Sequence, residues 1–163
     1  MLKPNPEEMI SSISHSVAVK NHRLEHLFDA ELQYRPEMAA VVSSEGRIGK
    51  LIGSGDGTLE GQRTQGTLRW TLFEKQGNNL CETNLAGVIK TNDGAQIQFD
   101  AKGYALRADK NHPNKWSLAS ALHFDTDDER YQWLNTALAV YEGEFDMNTA
   151  RHHSRVYIQR NQQ

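Results

Sequence analysis

Cysteine is nearly missing: Cys81 is the only one in 163 residues. An internal disulfide is therefore excluded, as is any CxxC redox or zinc site. Within an apolar run and with no adjacent basic residue to lower its pKa, Cys81 reads as a small packed hydrophobe rather than a nucleophile. No charge of one sign dominates. The 18 basic and 21 acidic side chains are interspersed, for a formal net charge of −3. No basic stripe exists to neutralise a row of phosphates, so nucleic acid is not an expected partner. No window approaches the roughly 20 apolar residues of a membrane helix. The opening MLKPNPEEMISSISHSVAVK is polar and acidic and lacks the apolar run of a signal peptide. The expectation is a cytoplasmic protein without membrane contact. No serine stands in a GxSxG elbow, and no internal repeat or low-complexity segment occurs.

What the chain does have is β alternation. Between Gly53 and Arg107 three β-type runs, 67–74, 79–90 and 95–107, are separated by glycine-bearing turns, Gly77-Asn78 and the stronger Asn92-Asp93-Gly94. Leu68, Trp70 and Leu72 share one face of the first run. Cys81, Thr83, Leu85, Gly87 and Ile89 share one face of the second, and Ile97, Phe99, Ala101 and Gly103 one of the third. Upstream, a first strand begins at Glu25 and is halted by Pro36, followed by short runs at 38–42 and 47–53. Downstream, Trp116, Leu118, Ser120, Leu122 and Phe124 alternate, and 151–160 closes the chain with Val156 and Ile158 facing in. The turn-to-turn spacing of about a dozen residues suits an antiparallel meander. The predicted fold is all-β: a small antiparallel barrel of about eight to ten strands, with residues 1–24 as an N-terminal arm and 25–163 as one domain.

Two local features need separate readings. Gly53-Ser54-Gly55-Asp56-Gly57 is glycine-rich, but β alternation rather than a helix follows it, so a phosphate cradle fails on context. Bulges and sharp corners in a barrel are the expected role. Thr126-Asp127-Asp128-Glu129 has the form of a helix capping box. With Tyr131, Leu134 and Leu138 at i, i+3, i+7 it predicts one short helix across a barrel mouth.

The segments GSGDGTLEGQRTQGTLRW, LAGVIKTNDGAQIQFDAKGYA, FDTDDERYQWLNTALAVYEGE and SRVYI, in that order, resemble the domain-of-unknown-function family 3237, also called UPF0311. TNDGA and RYQWLN are the more specific parts, and the likeness runs from about Glu25 to Gln159. The family is similar in fold to the allene oxide cyclase and dirigent barrels. That resemblance implies a central cavity and a homodimer or higher homo-oligomer, and no defined activity. Many members carry a GGADW-like segment where this chain has Gly66-Thr67-Leu68-Arg69-Trp70, so a site built on that segment does not carry over.

An eight-stranded barrel has room for side chains or one small ligand. The expectation is a hydrophobic or aromatic small-molecule partner, with no metal and no cofactor. The alternatives are a cofactor-independent isomerase, cyclase or lyase, and a packed structural barrel. Candidate acid/base groups on β runs are Asp100, Tyr104, His123 and Glu82. Facing in, they form a proton-transfer set; facing out, they are a solvated surface shared with Gln98 and Lys102. Arg69 is a candidate anchor for a carboxylate or phenolate, with Trp70, Trp116, Trp133 and Asn135 as further ligand contacts. His152-His153 points to opposite faces of a strand and carries no metal-ligand spacing, which assigns it a surface role.

Overall fold

A computed structural model describes residues 24–35, 39–42 and 49–159. Of the expected arm, residues 1–24, only Leu24 is described, and the Pro36 break lies outside these residues. The described chain forms nine strands: β1 (Glu25–Tyr34), β2 (Ala39–Val42), β3 (Gly49–Glu60), β4 (Gly66–Gln76), β5 (Leu80–Thr91), β6 (Gln96–Arg107), β7 (Lys115–Asp125), β8 (Leu138–Asp146) and β9 (Arg151–Gln159). They make one antiparallel sheet in the order β1-β9-β8-β7-β6-β5-β4-β3-β2, and a β1–β3 pairing closes it into a barrel. β1 pairs with Gly55 to Glu60 of β3 and the short β2 pairs with Gly49 to Ile52 on the same edge, so β1 and β2 together act as one stave. Closure leaves eight staves and no long open edge.

Alternation decides what fills the interior. Leu68, Trp70, Leu72, Leu85, Ile89, Ile97, Phe99, Leu122, Phe124, Val156 and Ile158 are buried, and their strand neighbours are exposed or half-buried. The glycine-rich segment is corrected. Gly53, Gly55 and Gly57 are not corners; they lie inside the unbroken strand β3. What they supply is room. Gly55 stands between its cross-strand partners Tyr34 and Trp70, whose rings meet over it at 6.1 Å between centroids. Gly87 stands between Trp70 and Phe99, which meet at 6.3 Å. Gly103 stands between Thr83 and Ser120, whose hydroxyls bond at 3.1 Å. An inward glycine lets the two flanking side chains touch across it, so large rings span a narrow lumen without overpacking it.

The two barrel ends differ. One end is sealed by residues 126–137. Here the expected helix is also corrected: a single 3-10 turn, Gln132–Leu134, takes its place. The capping box does not form because Thr126 is engaged elsewhere. Its hydroxyl donates to the Gln96 carbonyl at 2.7 Å and accepts from the Asp128 amide, and Asn135 clasps both its amide and its carbonyl. Leu134, fully buried, plugs this end. Asp93 of the TNDGA turn accepts from the Tyr131 hydroxyl at 3.0 Å and pairs with Arg130 at 3.0 Å. The two most distinctive sequence segments are thus one another's partners. At the other end lie Tyr34, Arg107, Trp116 and the half-buried Phe145.

Candidate functional site

Strand parity places the candidate acid/base residues outside the barrel. Asp100 and His123 are exposed cross-strand partners on β6 and β7, 3.8 Å apart. Glu82 and Tyr104 are exposed cross-strand partners on β5 and β6, lining an open outer groove with Phe73, Lys75, Asn84 and Lys102. These residues do not meet in the lumen. Arg69 is likewise turned out, its Nε donating to Asp56 at 2.6 Å. Arg35 donates to the same carboxylate, and the two guanidiniums hold Asp56 below the usual carboxylate range. Trp133 and Asn135 belong to the sealed end, where Arg63 lies 3.7 Å over the Trp133 ring. Trp116 is buried at the opposite end, with its indole N–H directed at the Met147 sulfur and Arg107 5.0 Å over its ring. Of the candidates, Trp70 alone stands in the middle of the lumen.

Around Trp70 the structure assembles a polar group that the candidate set omitted. Tyr34 of β1, Glu74 of β4, Tyr141 of β8 and His152 of β9 all point inward and are buried. His152 is the hub. Its ring lies 4.8 Å from Trp70, 5.9 Å from Tyr141 and 6.5 Å from Tyr34, centroid to centroid. Phe145 completes the surround, 5.1 Å from Tyr34. The surface role expected for the His152-His153 pair is corrected by half. His153 is exposed and bonds to Glu31 at 2.6 Å, whereas His152 is 0% exposed. Gly143 makes space for it, since a Cβ there would stand 2.9 Å from Nε2.

The electrostatics of this group follow from burial. Desolvation pushes the Glu74 carboxyl up to about 7 and holds His152 down at about 3, so the imidazole is neutral and Glu74 titrates near neutrality. Burial raises both tyrosines; for Tyr34 the Glu74 charge adds to it and the nearby Trp70 N–H offsets a little, whereas for Tyr141 the Ser120 hydroxyl offsets more than the Glu74 charge adds. Burial also raises Cys81, to about 11, which fits an inert thiol. Despite that proximity, Trp70 Nε1, Tyr141 Oη and both His152 nitrogens lack any partner in bonding geometry among the described residues. Each such orphan costs about 1–3 kcal/mol. Next to the Trp70 and Tyr141 rings is a cavity of about 20 Å³ with an apolar wall that also takes in Phe28, Leu68, Ile89 and Leu122; His152, Tyr34 and Glu74 do not border it. The expectation of a ligand-sized hollow is not met by this space. Among the described residues no cluster of three or more His, Cys, Asp or Glu has metal-binding geometry, and no helix is long and apolar enough to cross a membrane.

Comparison with solved structures returns the same barrel. A β-barrel-like protein from Acinetobacter baumannii superposes with a TM-score of 0.74 at 19% identity, covering 83% of this chain and 94% of its own. A protein of unknown function from Clostridium acetobutylicum gives 0.72 at 14% identity, covering 84% and 99%. A structure described as an enzyme from Penicillium herquei gives 0.61 at 25% identity, covering 84% and 94%. Comparison with curated proteins gives no match. The family model described as a protein of unknown function, DUF3237, matches residues 22–159, and the chain belongs to that family.

Proposed function

We propose that the protein binds a small, largely apolar organic molecule in the half of the lumen lined by Tyr34, Trp70, Tyr141 and His152, and that Glu74 exchanges a proton there. The observation that carries this is the set of orphaned polar atoms on Trp70, Tyr141 and His152. A barrel kept only for its packing gains nothing from four unpartnered polar atoms at its centre, because apolar residues of the same shape remove that cost. A ligand that bonds them restores it. Glu74 supports proton transfer, since a carboxyl titrating near neutrality both gives and takes a proton at working pH. The Penicillium herquei relative, described as an enzyme, is consistent with such chemistry on this fold. Admission proceeds by displacement of side chains at the end opposite the Leu134 plug, where Phe145 is half-buried.

A second reading, a packed structural barrel, is favoured by the 20 Å³ cavity. Titration calorimetry with small aromatic probes separates the two. Saturable binding in the wild type, weakened about tenfold or more in His152→Leu with the fold retained, is the expected outcome. Binding that ignores His152→Leu, or no binding, favours the packed barrel.

A further inference from the structure

We propose that the occupant of this lumen is an uncharged carbonyl compound with a flat, unsaturated skeleton, its oxygen accepting from two of the orphaned donors of Trp70, Tyr141 and His152. The inference rests on the binding reading above and narrows it by the hydrogen-bonding capacity of the wall.

An indole N–H only donates. A phenol brings one O–H donor, and a neutral imidazole brings one N–H and one bare nitrogen. Trp70, Tyr141 and His152 therefore present three donors, none satisfied by another described residue. Donors without acceptors call for a ligand rich in lone pairs. A carbonyl oxygen has two, lying in the plane of its substituents, and can receive two of these donors at once.

Charge narrows the class further. Among the described residues no lysine points into the lumen, and the one arginine on an inward strand face, Arg107 at the end of β6, stands at the rim. Arg69 is turned out to Asp56, and Arg107 donates to the Pro113 and Asn78 carbonyls at the rim. Lys75, Lys90, Lys102 and Lys115 are all exposed. No cation acts on Glu74, so a carboxylate or phosphate entering beside it meets a like charge with no counter-charge at that spot, which is strongly disfavoured. An ammonium fares differently but no better. It could pair with Glu74, lie against the aromatic rings and donate to the bare His152 nitrogen, yet it offers no acceptor and leaves the N–H and O–H donors of Trp70, Tyr141 and His152 unmet. A neutral acceptor answers both requirements. The ring walls of Tyr34, Trp70, Phe99 and Tyr141 match a planar π-face.

Four probes of similar size differ only in the feature at issue: acetophenone, cumene, benzoate and benzylamine. Each is titrated into the full chain near neutral pH, with the indole N–H resonances of the protein followed by NMR. Acetophenone is expected to bind about tenfold or more tightly than each of the others. Tyr141→Phe, which removes one donor and keeps the ring, is expected to reduce that preference while leaving cumene unaffected. Cumene binding as tightly as acetophenone overturns the carbonyl inference, and so does benzoate or benzylamine binding as tightly. Either result leaves lumen binding standing. If no probe perturbs the Trp70 resonance, both readings fail together.

Discussion

His152 and Glu74 pull stability in opposite directions with pH. For His152 the folded pKa of about 3 lies below the ordinary 6.5, so its contribution is complete above pH 6.5 and is lost as pH falls toward 3. For Glu74 the folded pKa of about 7 lies above the ordinary 4.5, so its contribution is complete below pH 4.5 and is lost as pH rises to about 7. The Glu74 loss is on the order of 3 kcal/mol. Denaturant melts across this range therefore distinguish two variants. His152→Leu is expected to flatten the acid-side fall. Glu74→Gln is expected to flatten the decline between pH 4.5 and 7 and to leave the acid side alone. Unchanged slopes in both variants contradict the burial assigned to these groups. Both residues were legible in the alternation. Glu74 extends the inward series Leu68, Trp70, Leu72 by one step, and His152 extends the series Val156 and Ile158 backward through Ser154. Residue type argued the other way, because a charged or polar side chain at the end of a strand ordinarily faces water. Asp100, Tyr104, His123 and Glu82 obey the same parity and face out beside Lys102 and Gln98.

At the scale of elements, glycines act in two different ways and their substitutions separate the causes. A Cβ at Gly87 would stand 2.2 Å from the Arg69 carbonyl oxygen and 2.7 Å from the Phe99 ring. Gly87→Ala is therefore expected to destabilise the barrel by about 1–3 kcal/mol and to move Trp70 and Phe99 apart, measurable as a lower Tm with altered tryptophan fluorescence. Gly94 has open space around it but φ of +91°. Gly94→Ala is expected to cost about 1 kcal/mol through backbone strain and to leave tryptophan fluorescence unchanged. Asp93 ties the 126–137 segment to the β5–β6 turn through Tyr131 and Arg130. Asp93→Ala is expected to raise amide exchange across residues 126–137 while β5 and β6 stay protected. Equal exchange in variant and wild type contradicts that tie. The strands were readable because a period of two runs through β4, β5, β6 and β7, the middle of the sheet. The missing helix was not readable, since Thr126 is engaged by Gln96, 30 residues away, and by Asn135. Local pattern carries no record of such a competitor.

At the scale of the whole molecule, the barrel divides into a sealed half packed with aliphatic and aromatic residues, Leu134, Ile158 and Phe124 among them, and a polar half centred on His152. The resemblance to DUF3237 conveyed the closed sheet and the family. It did not convey the lumen, because the positions that line it, Tyr34, Glu74, Tyr141 and His152, come from four different staves, each beside a different neighbour in sequence. Only closure brings them within reach of one another. The three tryptophans report on the two halves separately. Trp116 points its indole N–H at the Met147 sulfur and Trp133 donates to the Arg130 carbonyl, while Trp70 Nε1 is unpartnered. A ¹H–¹⁵N spectrum resolves their indole signals, and addition of acetophenone to the full chain is the most direct test of an occupied lumen. The Trp70 signal is expected to shift toward a hydrogen-bonded position and the Trp133 signal to stay where it is. An unmoved Trp70 signal at saturating probe, or a shift confined to Trp133, would contradict the account.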